Sequence, residues 1–308
     1  MHKRDFYYTS VNGKNSLHAI EWLPEGPVRA CVQLVHGVSE YIDRYDRYAN
    51  FLTEHGIAVV GNDHLGHGKS VASPEELGWF GEKNGWNLVV EDLKKLHMQQ
   101  KAAYPDVPFF LFGHSMGSFL ARTYIINYPR DFDGVILSGT AWQPGYMCAA
   151  GLLLAGLEIR LHGTQYKSEL LRKIAFGSYL NKIPDAKTEN DWLTRDEQVV
   201  SAYCEDPLCG YTSAAGLMRD MMTGLNFIRK KKNIRKMAAE TPVYILSGAE
   251  DPVGAWSKGV RKTEKAFRAC GLKRTELKLY PGARHEILNE LNREEVYADT
   301  LMWLEKNM

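Results

Sequence analysis

The stretch LFGHSMGSF, residues 111 to 119, contains Gly113-His114-Ser115-Met116-Gly117. The G-x-S-x-G pattern is weak by itself, because Gly and Ser are common, so its surroundings decide what it means. Phe109 to Phe112 precede it as an apolar strand end, and Met116 to Tyr128 follow with apolar and small residues at helical spacing. On a strand-turn-helix the glycines let strand and helix approach closely, which thrusts Ser115 above a sheet with its hydroxyl exposed. The plain alternative is a small-residue turn without chemistry.

Working outward, short runs rich in Val, Ile, Leu, Phe and Tyr recur along the chain and end at Gly, Asp or Pro. They predict eight strands: DFYYTSV (5–11), LHAIEWL (17–23), ACVQLVH (30–36), IAVVGND (57–63), PFFLFGH (108–114), GVILSG (134–139), PVYILSG (242–248) and ELKLYPG (276–282). Helical patterns at 45–56, 87–104, 116–128, 257–271 and 294–307 alternate with them. Such alternation implies a mostly parallel sheet covered on both faces. The turn Val11-Asn12-Gly13-Lys14 predicts an antiparallel hairpin at the start.

Between about 141 and 240 the alternation breaks. This segment reads as an inserted cap on a core formed by 1–140 and 241–308, with no linker separating independent domains. The cap carries the apolar run YMCAAGLLLAGL (146–157), too short for the ~20 residues that span a bilayer. Three readings stay open for it: a wall against an acyl chain, a surface that docks on lipid, or a helix buried between cap and core. The basic stretch RKKKNIRK (229–236) reads first as a solvated helix face and second as a site for anionic head groups.

A net charge of +1, with 24% charged and 44% hydrophobic residues, gives no electrostatic footprint for nucleic acid. Five cysteines without a C-x-x-C pair suggest reduced thiols rather than a disulfide framework or zinc site, and MHKRDFYYTS lacks the apolar region of a secretion signal. A cytoplasmic protein is expected, with peripheral membrane contact through the cap as a further option. Oligomeric state is not predicted.

A serine hydroxyl needs a base to take its proton, and the base needs an acid to orient it. Asp251 stands in the loop after the seventh strand (SGAEDPV, 247–253) and His285 in the loop after the eighth (PGARHE, 281–286). Both loops lie at strand C-terminal ends, where sites in open α/β sheets gather. Glu250 and Glu286 are the alternative acids. The oxyanion of an acyl transfer needs N–H donors. The candidates are Met116, directly after the nucleophile, and Val38, in the loop after the third strand, where His36 and Gly37 shape the turn.

The set HGVSEYIDRY, DHLGHGKS, FGHSMGS, SGAEDPVG and YPGARHE, in that order, resembles the monoacylglycerol lipase and lysophospholipase group of the α/β-hydrolase superfamily, also catalogued with serine aminopeptidase-like hydrolases. The resemblance implies an α/β-hydrolase fold, a Ser115–His285–Asp251 triad and an oxyanion hole from Val38 and Met116. Gly113, His114 and Gly117 shape the nucleophile turn. It makes Asp63 to Ser70 a structural loop, against a metal site at His64 and His67, and it calls for no metal or cofactor. The expected substrate is a lipid monoester, most simply a monoacylglycerol, with lysophospholipids and simple esters next. Residues 192–211 look like the cap of bacterial members. Amide or peptide hydrolysis is the second reading, for which Glu205-Asp206 is the one acidic hint in the cap, and a non-catalytic binding protein is the third.

Overall fold

The computed structural model of the chain describes residues 2–308. Its strands are β1 (His2–Thr9), β2 (Ser16–Leu23), β3 (Ala30–Val35), β4 (Ile57–Asn62), β5 (Phe109–His114), β6 (Gly134–Ser138), β7 (Val243–Gly248) and β8 (Thr275–Tyr280). They form one sheet in the order β1-β2-β4-β3-β5-β6-β7-β8. β1 and β2 pair antiparallel, as the Asn12-Gly13 turn predicts, and β2 runs antiparallel to β4. Every later pairing is parallel.

The helices are α1 (Asp46–Glu54), α2 (Gly85–Ala103), α3 (Met116–Asn127), α4 (Gly145–His162), α5 (Glu169–Phe176), α6 (Glu197–Glu205), α7 (Ala215–Ile228), α8 (Lys231–Ile234), α9 (Lys258–Ala269) and α10 (Arg293–Asn307). The apolar runs of β3 to β7 are continuous because both faces are covered, whereas the edge strands β1 and β8 are partly exposed. On β5, Phe109 and Leu111 join the core beneath α2, α3 and α9. Their neighbours Phe110 and Phe112 join the opposite core with α1 and α10. Each of these fully buried side chains contributes about 1.5–3 kcal/mol relative to exposure.

Chain order reverses direction between β3 and β5, which is the switch point where an open α/β sheet leaves a crevice. The loops carrying Val38, Ser115, Asp251 and His285 all follow strand C-terminal ends on that side. Helices α4 to α8 fill the segment between β6 and β7.

The reading of 146–157 as a helix buried between cap and core is overturned. Cys148 and Ala155 of α4 are buried, whereas Tyr146, Leu153, Leu157 and Leu161 are exposed, Tyr146 by 76% and Leu161 by 71%. Among the described residues no helix is long and apolar enough to cross a membrane. In the basic stretch, Lys230 to Lys232, Arg235 and Lys236 are exposed while Asn233 and Ile234 are buried, so the charges form a solvated face. All five cysteines are free.

Candidate active site

Ser115 caps the N-terminus of α3 with φ 52° and ψ −122°. A positive φ at a residue with a Cβ costs about 1–2 kcal/mol, so packing must hold it there. The Ser115 N–H donates to the Ser138 carbonyl at 2.9 Å, and the Ser115 carbonyl accepts from both the N–H and the hydroxyl of Ser118. The flanking glycines are required by contact: a Cβ on Gly117 would lie 2.0 Å from the Val35 carbonyl oxygen, and one on Gly113 would lie 2.5 Å from the Gly117 oxygen. The half-buried Ser115 side chain faces a cavity of about 310 Å³.

His285 and Asp251 are both fully buried, and His285 Nδ1 lies 3.0 Å from Asp251 Oδ2. A carboxylate only accepts, so Nδ1 carries the proton and the lone pair of the neutral ring sits on Nε2. Nε2 has no hydrogen-bond partner among the described residues. Asp251 is fixed by the Val253 N–H, which donates to Oδ1 at 2.8 Å. Burial pushes the His285 pKa down, but Asp251, joined by Glu286 and Glu40, outweighs it and the net shift is upward from 6.5. Ser115 and His285 line the same cavity.

The alternative acids are placed elsewhere. Glu286 makes a two-pronged ion pair with Arg44, both distances 2.8 Å, and despite burial the Arg44 charge holds its carboxyl down at about 2. Glu250 is exposed.

The two oxyanion candidates share a cavity with Ser115. Met116 opens α3, whose first N–H groups have no helical acceptor. Val38 and Met116 line the cavity beside Ser115, and a Cβ on Gly37 would stand 3.2 Å from Ser115 Cβ. His36 supports this loop from below: its Nδ1 donates to the Gly37 carbonyl at 2.7 Å, its Nε2 accepts the His64 N–H, and its ring stacks on His64 at 3.9 Å. His114 is buried, with its ring 4.7 Å from that of His285.

The Asp63–Ser70 loop is internally bonded. His64 Nε2 donates to the His36 carbonyl and His67 Nδ1 to the Leu65 carbonyl. Asp63 accepts from Ile42 N–H, Lys69 N–H and His18. Burial keeps His64 and His67 neutral, with His67 pushed down to about 4. No group of three or more His, Cys, Asp or Glu among the described residues could hold a metal ion.

Several contributors carry little sequence signal. Gly139, after β6, has φ +59°, and a Cβ there would meet the His285 ring at 2.8 Å; only its place at a strand end marked it. Residues between α5 and α6 grip the histidine loop: Glu286 N–H donates to Leu193 O at 2.7 Å, Arg284 donates to the carbonyls of Asp191 and Thr194, and the Trp192 ring lies 5.1 Å from His285. The loop after β3 is gripped likewise. Ser39, at φ +55°, accepts on its carbonyl from Tyr203 OH at 2.9 Å and Gly210 N–H at 3.0 Å.

The cavity walls are mostly apolar, with Met147 and Leu154 of α4, Leu171 and Ile174 of α5, and Met218 and Met222 of α7. The polar lining includes Glu189, Asn190 and Tyr211. Glu189 is paired with Arg172 at 2.7 Å.

A sequence profile described as "Serine aminopeptidase, S33" matches residues 26–292, nearly the whole chain. The chain belongs to this S33 family. Its fold is that of α/β-hydrolases. It is similar to the monoacylglycerol lipase of Mycolicibacterium smegmatis, 27% identical over 96% of this chain and 95% of that protein. A thermostable carboxyl esterase from Bacillus coagulans, solved with glycerol, superposes with TM-score 0.92 at 29% identity, each chain covered to 99%. The monoglyceride lipase of Saccharomyces cerevisiae, solved with a substrate analogue, superposes with TM-score 0.79 over 100% of this chain and 96% of that one; at 23% identity it speaks for the fold.

Proposed function

We propose that this S33 protein is a serine ester hydrolase acting on lipid monoesters, with a monoacylglycerol as the leading substrate. The observation that carries this reading is the strained Ser115 facing a mainly apolar cavity of about 310 Å³ that also holds the free Nε2 of an Asp251-bound His285. Similarity to a monoacylglycerol lipase and to an esterase solved with glycerol supports the substrate class.

In this reading His285 Nε2 takes the Ser115 proton as Oγ attacks the acyl carbonyl, and the N–H groups of Val38 and Met116 receive the oxyanion. Collapse of the tetrahedral intermediate breaks the bond to the alcohol oxygen, which leaves with the proton from His285. Water then attacks the acyl-enzyme, giving its proton to His285, and the fatty acid departs as Ser115 is reprotonated. Asp251 keeps Nδ1 protonated and stabilises the imidazolium throughout.

The insertion acts as a cap. Its α4 face delivers the acyl chain, and the exposed Leu153, Leu157 and Leu161, continued by Leu170 and Ile174 of α5, present an apolar surface to lipid. Amide hydrolysis is less favoured. Asp206 accepts from Tyr41 OH and the Leu208 N–H, and Glu205 accepts from Ser201; neither lines the cavity.

A fluorophosphonate probe is expected to label the wild type and not Ser115→Ala, and monoacylglycerols are expected to be hydrolysed faster than aminoacyl amides. An unlabelled but folded wild type refutes the hydrolase reading, and cleavage of amides alone refutes the lipid one.

A further inference from the structure

A chain of buried contacts runs beneath the candidate site and joins its two loops. Glu40 Oε1 accepts the Gly37 N–H at 2.5 Å and the Tyr45 hydroxyl at 2.9 Å, while Oε2 accepts Arg44 Nη1 at 2.7 Å. The same guanidinium forks onto both oxygens of Glu286, whose backbone follows His285 directly. Glu40 and Glu286 are each 4% exposed. Two carboxylates therefore share one guanidinium, leaving an excess negative charge inside the protein.

A fold seeking stability alone gains little from such an arrangement, because burying a second carboxylate is unfavourable and an apolar replacement of the same shape often serves as well. Glu40 shows the penalty: burial pushes its pKa up, although Arg44 pulls the other way. What the carboxylate achieves is geometric. Gly37 lies between Glu40 and Ser115, since a Cβ there would meet Glu40 Oε1 at 2.6 Å and Ser115 Cβ at 3.2 Å. Anchoring the Gly37 N–H fixes the His36–Gly37 peptide, one residue before the Gly37–Val38 peptide, whose carbonyl is held by His36 Nδ1 at 2.7 Å, so Glu40 acts on the direction of the Val38 N–H at one remove, through the backbone of Gly37. The strong, charge-assisted bond suits a task in which a donor must stay aimed while charge develops.

We propose that Glu40 is a positioning residue that aims the Val38 N–H at the oxyanion through Gly37 and holds the His285 loop in register through Arg44 and Glu286. This rests on the Ser115 hydrolase reading. The net negative charge also acts on the base: around His285 stand Asp251, Glu286 and Glu40, which favour its proton, the Arg44 cation bonded to the two glutamates, which opposes it, and a neutral buried His114.

The test compares Glu40→Ala and Glu40→Gln with wild type on a monoacylglycerol, reading kcat and KM separately with thermal unfolding as the folding control. Glu40→Ala is expected to lower kcat about 10²-fold, the loss typical of one oxyanion donor, with KM within about twofold. Glu40→Gln keeps an acceptor for the Gly37 N–H and is expected to recover at least about tenfold of that loss, while the acid limb of kcat/KM moves to lower pH because a negative charge is gone. Unchanged kcat in folded Glu40→Ala, or a loss carried by KM, overturns the proposal. If Glu40→Ala does not fold, Glu40→Gln decides: wild-type kcat together with a wild-type acid limb overturns it. Fluorophosphonate labelling of wild type is run alongside, so that failure of the hydrolase reading is seen separately from failure of the Glu40 role.

Discussion

Gly139→Ala tests whether the site depends on contacts as close as those described. At φ +59° an L side chain costs about 1–2 kcal/mol, and for a chain of this size each kcal/mol lowers Tm by about 2–4 °C. The larger effect is local. The new methyl would sit 2.8 Å from His285 Cε1, 3.0 Å from Nδ1 and 3.2 Å from His114 Cε1. Opening the shortest of these to the 3.4 Å where ordinary contact begins takes about 0.6 Å. His285 has little room, because the Trp192 ring stands on another side at 5.1 Å and its backbone N–H is tied to Trp192 O. The ring must therefore shift relative to Asp251, from which it is held at 3.0 Å. Since a 1 Å misplacement can lower a rate about 10²-fold, a loss of roughly 10- to 100-fold in kcat is expected, with KM little changed. Steady-state kinetics on a monoacylglycerol, with Tm measured in parallel, provide the check. Full kcat with a lowered Tm would mean that His285 tolerates displacement and that the packing argument is wrong.

Three further outcomes are expected. His285 must be neutral to accept a proton, and its pKa is raised chiefly by Asp251 against burial, so the acid limb of kcat/KM should lie above pH 6.5; in Asp251→Asn it should move lower and kcat should fall about 10⁴-fold, and an unmoved limb would assign the effect to another group. His18 holds Asp63 and Asp5 on its two ring nitrogens at 2.8 Å each; burial pushes its pKa down, and the two hydrogen-bonded carboxylates raise it further than that. Because the folded pKa lies above the unfolded one, its contribution to stability is complete below pH 6.5 and disappears as pH rises through the folded value; the stability gap between wild type and His18→Gln in urea should therefore narrow with rising pH, and a constant gap would refute it. Leu153→Asp with Leu161→Asp should weaken binding to lipid vesicles and slow hydrolysis of vesicle-embedded monoacylglycerol while sparing a short water-soluble ester; equal losses on both substrates would place those side chains in folding instead.

The parts of the site legible in the sequence are those whose signal is local. Ser115 announces itself through a strand, a turn with glycines at the points of closest approach, and a helix. Asp251 follows β7, whose apolar run is unambiguous because both faces are buried, whereas His285 follows the partly exposed edge strand β8, legible by alternation and by the Pro281-Gly282 turn that ends it. The helix α4 was ambiguous for a physical reason: an apolar residue reads the same whether it faces a core, a cavity or the outside, and α4 does all three with Cys148, Leu154 and Leu161 respectively. Gly139 carries only the mark of a strand end, since its importance comes from a ring supplied by the loop after β8. The bond from Tyr203 to Ser39 spans 164 residues and has no periodic signature at all.

These long-range contacts divide the insertion by role. Residues 191–194 bind the backbone around His285, and Tyr203 and Gly210 bind the strained Ser39 beside Val38. That half is fastened to the two loops that the chemistry requires. Helices α4 and α5 instead line the cavity with one face and leave Leu153, Leu161 and Leu170 outside. Buried hydrogen bonds to a strained loop resist substitution because each leaves an unsatisfied partner when broken, whereas apolar walls exchange side chains of similar volume at small expense. The apolar faces of α4 and α5 can thus exchange side chains while the bonds to the loops of Ser39 and His285 are kept, so the shape of the cavity can change independently of the geometry of those loops.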